Sequence, residues 1–363
     1  MHNVLVAGSG KVGSLISSML VSSGRYFVIQ VDKSSQAKLL MENKYYKFFE
    51  ADIADEKVVA NFIREFSIGS VISCLPYFCS ITVANLAAKY HLDYFDLTED
   101  TEVLEHVKQL SQTHKNVFAP GCGLAPGFID TAAYSMASKF DEIETVKLRA
   151  GSLPVNASNV LQYALTWSTD GLINEYGNTC YGIVKGEKTA LQPLEGLEMV
   201  EIDGTSYEAF NTSGGIGTLV DAFYGKVKTL NYKTLRYPGH RDKIKFLMQD
   251  LKLNDDRETL KKIFERSMPG TNNDVMIVYI SVTGKKDGRY LEENYLNKIY
   301  AQNMLGRHYS AIQVTTASGM CSVFDIVQTN RKKYSGLLGH QDIRLEDILD
   351  NEFGHIFREE SVE

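Results

Sequence analysis

NVLVAGSGKVG (residues 3–13) is the stretch that decides the fold of this 363-residue chain. An apolar run leads directly into Gly8-Ser9-Gly10-Lys11-Val12-Gly13, and apolar residues at helical spacing follow. This order of strand, glycine turn and helix is the context in which such a fingerprint binds a dinucleotide. We expect Gly8 to form the tight turn, Gly10 to admit a pyrophosphate, and Gly13 to let the helix pack closely.

A carboxylate follows the fingerprint at the spacing that a dinucleotide site requires. Asp32 lies about 20 residues further on, at the predicted end of the second strand, where it can accept hydrogen bonds from a ribose. This favours NAD, because a 2′-phosphate beside Asp32 would meet like-charge repulsion. Lys33 and Ser34 could offset that repulsion, so NADP is the alternative cofactor.

Short apolar runs alternate with amphipathic stretches over the first part of the chain, which is the pattern of β-α-β units in a parallel sheet. We predict an α/β fold class with an N-terminal Rossmann domain, a parallel doubly wound sheet, at residues 1–121. The predicted strands are 3–7, 26–31, 47–51, 70–74, 94–97 and 116–119, and a helix lies between the first two.

Two further segments end predicted strands at the edge where open α/β sheets bind ligands. Asp52 and Ile53 end the third strand and are predicted to flank the adenine, although Asp52 could equally be a solvated turn residue. Cys74-Leu75-Pro76-Tyr77 ends the fourth strand and is predicted to contact the nicotinamide half.

Residues 120–127 break the alternation, because their three glycines and two prolines continue neither a helix nor a central strand. Beyond them we predict an α+β substrate domain with a mainly antiparallel sheet at residues 122–314. Its predicted strands are 145–150, 179–184, 227–237, 275–282 and 290–302, with a hairpin connector at 283–288. Predicted helices are 160–172, 240–251, 257–266 and 315–328.

The composition of the chain limits the classes of partner that it can bind. A net charge of -7 and a pI near 5.7 argue against nucleic acid and anionic membranes, which reward a basic surface, and favour a small-molecule ligand. No apolar run reaches the roughly 18 residues of a membrane helix, and the N-terminus does not resemble a signal peptide, so we expect a cytoplasmic protein.

The cysteines predict no metal site. Five are scattered without the spacing of a zinc or Cys-x-x-Cys motif, so we expect reduced thiols and no bound metal. A redox pair of Cys74 and Cys79 is the alternative to two buried or pocket-wall thiols.

Six strings, in order along most of the chain, together resemble the saccharopine dehydrogenase and lysine 6-dehydrogenase family. They are LPY at 75–77, GLAPG at 123–127, GSLP at 151–154, residues 163–172 around Trp167, EAFNTSGG at 208–215, and YKTLRYPGH at 232–240.

The resemblance implies a Rossmann domain, an antiparallel substrate domain, a C-terminal helix and tail (residues 315–363) that pack back on the first domain, and a homodimer. It also implies oxidation of a C–N bond on a lysine side chain. In the lysine 6-dehydrogenase branch hydride leaves Cε of lysine. In the saccharopine branch the nitrogen carries a glutaryl unit, and both branches yield 2-aminoadipate 6-semialdehyde.

Departures from the family motifs leave the branch open. Ala125 stands where saccharopine reductases typically have aspartate, and Ala150 stands where they have cysteine. Both resemble the lysine 6-dehydrogenase branch. Trp167, followed by Ser168, resembles the saccharopine enzymes instead.

Oxidation of an amine requires its neutral form, but the ammonium of a lysine side chain has an unperturbed pKa of about 10.4. The site therefore needs a base or an environment that disfavours the ammonium. Asp96, Tyr77 and His240 are the predicted catalytic residues, and Glu99 is a further candidate. Asp96 could instead cap the next helix, and His240 could simply begin one.

Substrate binding is predicted from the same motifs. Arg236 would pair with an amino-acid carboxylate, although a surface ion pair is the alternative. The remaining predicted substrate contacts are Asn211, Thr212, Ser213, Trp167 and Leu124. The first three could form a plain turn, and Trp167 could belong to the core.

Two other functions fit the same patterns. A polyamine-pathway reductase similar to carboxynorspermidine synthase also works on C–N bonds. A non-catalytic protein that senses NAD(P) would use the Rossmann domain without turning over an amine.

Overall fold

The computed structural model describes residues 1–34 and 43–358. The chain divides into two compact units. The first unit comprises Met1–Gly127 and Thr316–Ile356, and the second comprises Phe128–Thr315 and Phe357–Glu363.

The strands are numbered along the chain. They are β1 (His2–Ala7), β2 (Tyr26–Asp32), β3 (Tyr46–Glu50), β4 (Ser70–Ser73), β5 (Asp93–Asp96), β6 (Val117–Ala119), β7 (Glu142–Pro154), β8 (Cys180–Val184), β9 (Glu187–Leu191), β10 (Glu198–Ile202), β11 (Thr205–Asn211), β12 (Thr229–Arg236), β13 (Asp274–Lys286), β14 (Arg289–Tyr300), β15 (Gln302–Met304), β16 (Arg307–Tyr309) and β17 (Gly336–Leu337).

The helices are α1 (Lys11–Ser22), α2 (Glu56–Glu65), α3 (Tyr77–Tyr90), α4 (Thr101–Ser111), α5 (Phe128–Ala137), α6 (Thr169–Gly177), α7 (Leu219–Phe223), α8 (His240–Lys245), α9 (Arg257–Ser267), α10 (Ala311–Thr329) and α11 (Leu345–Asp350). A π-helical segment, Phe246–Asp250, continues α8. Within the described residues, no helix combines the length and the apolar character needed to cross a membrane.

The first unit contains a seven-stranded sheet in the order β17-β6-β5-β4-β1-β2-β3. All of its strand pairs are parallel. The order reverses beside β1, as in a doubly wound dinucleotide fold. This confirms the predicted Rossmann sheet and its six strands, and β17 is an addition that the sequence did not predict.

Residue patterns explain the elements around the glycine turn. Val4, Leu5 and Val6 of β1 are buried together, as expected for a central parallel strand covered on both faces. Helix α1 buries Leu15, Ile16, Met19 and Leu20 at helical spacing. It ends before Gly24, whose φ of 70° is the left-handed conformation that glycine adopts without a Cβ clash.

The second unit contains an eight-stranded mixed sheet, with β10-β11-β12-β7-β13-β14 in order and the β8–β9 hairpin attached to β12. Only the β12–β7 pair is parallel among the pairs of described strands in this sheet. The predicted mainly antiparallel sheet is therefore confirmed. Helices α6, α8 and α9 form a core with Phe210 of β11 through Leu172, Ile173, Ile244, Leu260 and Phe264.

The predicted hairpin at 283–288 is confirmed, but its turn is shorter than expected. Strand β13 continues to Lys286 and β14 begins at Arg289. The two turn residues, Asp287 and Gly288, have φ angles of 51° and 72°. Two left-handed residues are what a type I′ turn requires, and its twist matches that of the flanking strands.

The predicted helix at 160–172 is wrong, because α6 begins only at Thr169. Asn159 bonds both the backbone N–H and the carbonyl of Tyr163, and Gln162 has a φ of 49°. An asparagine side chain that satisfies nearby backbone groups competes with helix formation. The Ser168 side chain then accepts a bond from Gly171 N and caps α6.

We predict that Asp274→Ala destabilises the second unit. The buried Asp274 carboxylate accepts hydrogen bonds from Ala311 N and Ile312 N at the start of α10, and from Ser152 Oγ. Leaving such buried donors unsatisfied costs about 1–3 kcal/mol. A lower urea midpoint for Asp274→Ala, with a smaller shift for Asp274→Asn, is the expected result. Equal midpoints for Asp274→Ala and the unchanged protein would contradict it.

Candidate active site

The glycine turn has the geometry that the fingerprint predicts. Gly8 has a φ of 98°, and a Cβ there would lie 2.8 Å from Cys74 O. A Cβ on Gly13 would lie 2.4 Å from Gly8 O, so α1 packs against the turn where no side chain fits. A Cβ on Gly10, by contrast, would meet no atom of the described residues within 4 Å.

Gly10 therefore borders open space beside the first turn of α1. It is the N-cap residue of that helix, and no side chain caps the helix start. The backbone N–H groups and the positive end of the helix dipole are the partners that a pyrophosphate requires. The residues present thus fit the phosphates of a dinucleotide, which is the cofactor that the fold implies.

Asp32 ties the end of β2 to this turn. Its Oδ2 accepts a hydrogen bond from Ser9 N at 2.7 Å, and its Oδ1 accepts one from Ser34 N at 2.9 Å. The carboxylate is half-buried, which leaves it able to accept from a ribose hydroxyl as well.

Lys33 is engaged by a neighbouring carboxylate. Its Nζ lies 3.0 Å from Asp52 Oδ2, and both side chains are substantially exposed. The backbone N–H of Ala54 and the Lys33 ammonium lower the pKa of Asp52. Ile53, predicted to flank the adenine, lies in the hydrophobic core of the first unit.

The predicted nicotinamide segment lies between β4 and α3. Cys74 N bonds Ala7 O at 2.8 Å, Leu75 is half-buried, and Pro76 is the N-cap residue of α3. Burial raises the pKa of the Cys74 thiol to about 12, and burial also raises that of Cys79. Both cysteines are unpaired and held as thiols, which makes them weak nucleophiles. Tyr77 is half-buried and packs its ring against Phe78.

Asp96, a predicted base, is buried at the carboxyl end of β5 with 0% exposure. Its carboxylate accepts hydrogen bonds from Tyr94 Oη at 2.6 Å, Gly121 N at 2.7 Å and Thr98 N at 3.0 Å. Burial raises its pKa to about 6, and these three donors lower it in part. Asp96 does not cap α4, because Asp100 accepts the bonds from Glu102 N and Val103 N.

In the second unit, Arg236 and His240 belong to one buried network. Arg236 Nε donates to Tyr176 Oη at 2.7 Å, and Tyr176 Oη lies 3.0 Å from His240 Nε2. Because Leu161 O only accepts, Nδ1–H donates to it at 2.9 Å, and Nε2 of the neutral ring accepts the proton of Tyr176 Oη. Burial first, and then Arg236, lower the pKa of His240 to about 3, so the ring is neutral.

Arg236 also faces a carboxylate of its own unit. Its Nη2 lies 3.2 Å and 3.5 Å from the two oxygens of Glu175, and only 3% of Arg236 is exposed. The predicted alternative of a surface ion pair is wrong, because the pair is buried. Both distances exceed the roughly 2.7–2.9 Å of a strong charge-assisted bond, and Glu175 is the buried counter-charge of the guanidinium.

The neighbouring predicted contacts are buried as well. Asn211 Nδ2 donates to Gln192 O, and Ser213 Oγ donates to Asn174 O. Thr212 Oγ1 has no hydrogen-bond partner among the described residues. Trp167 is half-buried against the core that contains Tyr163. Trp167 lies outside the helices, whereas the helix predicted at 160–172 had included it.

The predicted residues therefore fall into two groups. In the first unit, the carboxyl ends of parallel strands carry the fingerprint, Asp32, the Cys74–Tyr77 segment and Asp96. Leu124 is buried in the loop after β6. In the second unit, Arg236 and His240 share one network. Sequence reasoning missed Glu175 and Tyr176, because a Glu-Tyr pair just beyond the helix predicted at 160–172 carries no signal for partners about 60 residues away. No group of three His, Cys, Asp or Glu side chains within 1–34 and 43–358 could hold a metal ion.

Two sequence families match the chain in succession. The saccharopine dehydrogenase NADP binding domain matches residues 4–119, and the saccharopine dehydrogenase C-terminal domain matches residues 123–350. Together they cover the glycine fingerprint and the Arg236 network.

The chain is also similar to solved structures. An apo histidine-tagged saccharopine dehydrogenase (L-Glu forming) from Saccharomyces cerevisiae is 17% identical, with a TM-score of 0.76 and coverage of 96% of each chain. An engineered D-amino acid dehydrogenase bound to NADP+ is 13% identical over 97% of each chain, with a TM-score of 0.48. A C. glutamicum DAP dehydrogenase in complex with DAP is 10% identical, with a TM-score of 0.48, covering 97% of this chain and 99% of that chain. The similarity to the yeast enzyme shows the fold.

We predict that Gly10→Ala impairs cofactor binding without impairing folding. Its φ of -65° suits alanine, and the added methyl group would enter only the open space beside α1. The dissociation constant for NADH, measured by fluorescence, should rise at least about tenfold, equivalent to roughly 1.4 kcal/mol.

Gly13→Ala is the matched control, because its methyl group would collide with Gly8 O and should lower the melting temperature as well. Unchanged NADH binding by Gly10→Ala would place the cofactor elsewhere.

Proposed function

Because the chain belongs to the saccharopine dehydrogenase family, we propose that it is an NAD(P)-dependent dehydrogenase that acts on a C–N bond of a lysine-derived amino acid. The product would be 2-aminoadipate 6-semialdehyde. The observation that carries the proposal is a glycine turn shaped for a dinucleotide, followed in the same chain by the family's C-terminal domain.

The cofactor supplies the chemistry that no side chain offers, since a bound nicotinamide can accept the hydride that leaves the carbon beside the nitrogen. This chain's own residues bind and orient it. The start of α1 holds the phosphates, and Asp32 accepts hydrogen bonds from the adenosine ribose.

We propose NAD as the preferred cofactor. Asp32 carries a negative charge beside the position of a 2′-phosphate, and Lys33 is paired with Asp52. The matched family is described as NADP binding, so the preference has to come from these residues of this chain.

A substrate carboxylate would bind Arg236. The guanidinium is oriented by Tyr176 and His240, and its contact with Glu175 is longer than a strong charge-assisted bond. His240 then has the role of orienting Arg236 through Tyr176, since its neutral ring has both nitrogens engaged. Tyr77 is half-buried at the carboxyl edge of the sheet of the first unit.

The proposal predicts reduction of NAD by an amino acid at alkaline pH, where the amine loses its proton. Absorbance assays with L-lysine and with saccharopine, each repeated with NADP, measure it. Turnover of either amino acid with NAD supports the proposal, and the substrate identifies the branch. Turnover only of an aldehyde and an amine donor with NADPH would support the polyamine-pathway reductase instead. Tight NAD binding without any turnover would support a sensor.

We further predict that Arg236→Lys raises KM for the amino acid at least about tenfold, because it loses a hydrogen bond to a charged group worth roughly 1.5–3 kcal/mol. KM for NAD should not change. Arg149→Lys is the matched control, since Arg149 is also buried and pairs with Glu198 in the same unit. An unchanged KM for the amino acid in Arg236→Lys would make Arg236 a purely structural residue.

A further inference from the structure

The backbone of Gly121 is held at its N–H and at its carbonyl by buried side chains of the first unit. Asp96 Oδ1 accepts a hydrogen bond from Gly121 N at 2.7 Å. His340 Nε2 lies 3.0 Å from Gly121 O. Because a carbonyl oxygen only accepts, the imidazole donates from Nε2. The exposed fractions are 0% for Asp96 and 8% for His340.

Gly121 has little freedom of its own. Its φ of 67° lies in the left-handed region, and a Cβ there would come within 2.9 Å of Pro126 Cγ. Cys122 N also donates to Asp96 O at 2.8 Å. The chain leaving β6 is therefore held by side-chain and main-chain contacts together.

His340 reaches this place from a distant part of the sequence. Strand β17 pairs in parallel with β6, through Gly336 with Val117 and Leu337 with Phe118. The turn after β17 then brings His340 beside Gly121, although 219 residues separate them along the chain.

The surroundings of Asp96 do not suit a base. Its Oδ2 accepts from Tyr94 Oη, and its Oδ1 accepts from the backbone N–H groups of Thr98 and Gly121. A general base needs an oxygen within hydrogen-bond reach of the reacting proton. Both oxygens of Asp96 are instead used to hold the protein's own backbone and Tyr94.

We propose that Asp96 and His340 are positioning residues that together hold the backbone of Gly121, through its N–H and its carbonyl, at the carboxyl edge of the sheet, where the nicotinamide half of the cofactor would bind. Asp96 thus acts through Gly121 and not on the reacting atoms. The inference rests on the proposed function only because it requires a bound nicotinamide cofactor. It does not depend on the identity of the substrate.

Asp96→Asn separates the two roles of that residue. The amide oxygen can accept from Thr98 N and Gly121 N, and the amide nitrogen can donate to Tyr94 Oη. The Tyr94 hydroxyl can then turn to Ser80 O, which lies 3.4 Å away. Asparagine can therefore preserve a positioning role of residue 96, whereas it cannot act as a base.

The first measurement compares Asp96→Asn with the unchanged protein in NADH affinity and in kcat. We expect both values to stay within about tenfold, since every hydrogen bond has a replacement. A loss of about 10²–10⁴ in kcat with unchanged NADH affinity would make Asp96 a base and overturn the proposal.

The second measurement is a double-mutant cycle on the dissociation constant for NADH, with Asp96→Ala, His340→Leu and the double variant. Each single change should weaken binding, and the double variant should lose less than the product of the two effects, because both side chains hold the backbone of the same residue. Multiplying effects, or no effect of either change, would overturn the proposal. NADH affinity is independent of turnover, so a failure of the proposed substrate class leaves this test intact.

Two controls separate positioning from general stability. His340→Gln keeps a donor for Gly121 O and should restore much of the affinity lost in His340→Leu. Asp100→Ala removes the cap of α4 in the same unit and should lower the melting temperature without changing NADH affinity. If Asp96→Ala does not fold, the Asp96→Asn and His340 variants still decide the question. Equal NADH affinity of His340→Gln and His340→Leu would contradict the proposal.

Discussion

The first unit depends on a contact that only glycine permits. Helix α1 approaches the turn after β1 so closely that a Cβ on residue 13 would lie 2.4 Å from Gly8 O. This approach sets the start of the helix beside the end of the strand. It leaves Ser9 N within reach of Asp32 and Gly10 next to open space. One missing side chain thus positions the helix dipole, the ribose acceptor and the phosphate-binding backbone relative to one another.

Much of the fold follows from short-range patterns. The six strands of the first sheet, and β7, β8, β12, β13 and β14 of the second, are recognisable because each carries its own run of apolar residues between turn signals. The helix predicted at 160–172 failed because Asn159 satisfies the backbone of Tyr163 locally. Periodicity alone does not record that competition. Strand β17 has two residues, too few for any pattern, and exists because β6 offers it an edge.

The candidate site divides in the same way. The fingerprint and Asp32 could be predicted because their chemistry is contained in one β-α-β unit with known spacing. The positions of Asp96, Arg236 and His240 were also visible, but not their surroundings. Their partners Gly121, Glu175 and Tyr176 lie 25 to 64 residues away, and folding brings them near. What a buried charged residue does depends on those partners, so its role is readable only from the structure.

The parallel pairing of β17 with β6 bears on how the molecule is synthesised. A ribosome releases the first six strands of this sheet well before it reaches Gly336. Until then β6 is an unpaired edge strand of the nascent sheet, and unpaired edge strands promote association between chains. The whole second unit has to leave the ribosome in the meantime. Completion of the cofactor-binding sheet therefore has to wait until the whole second unit has been synthesised.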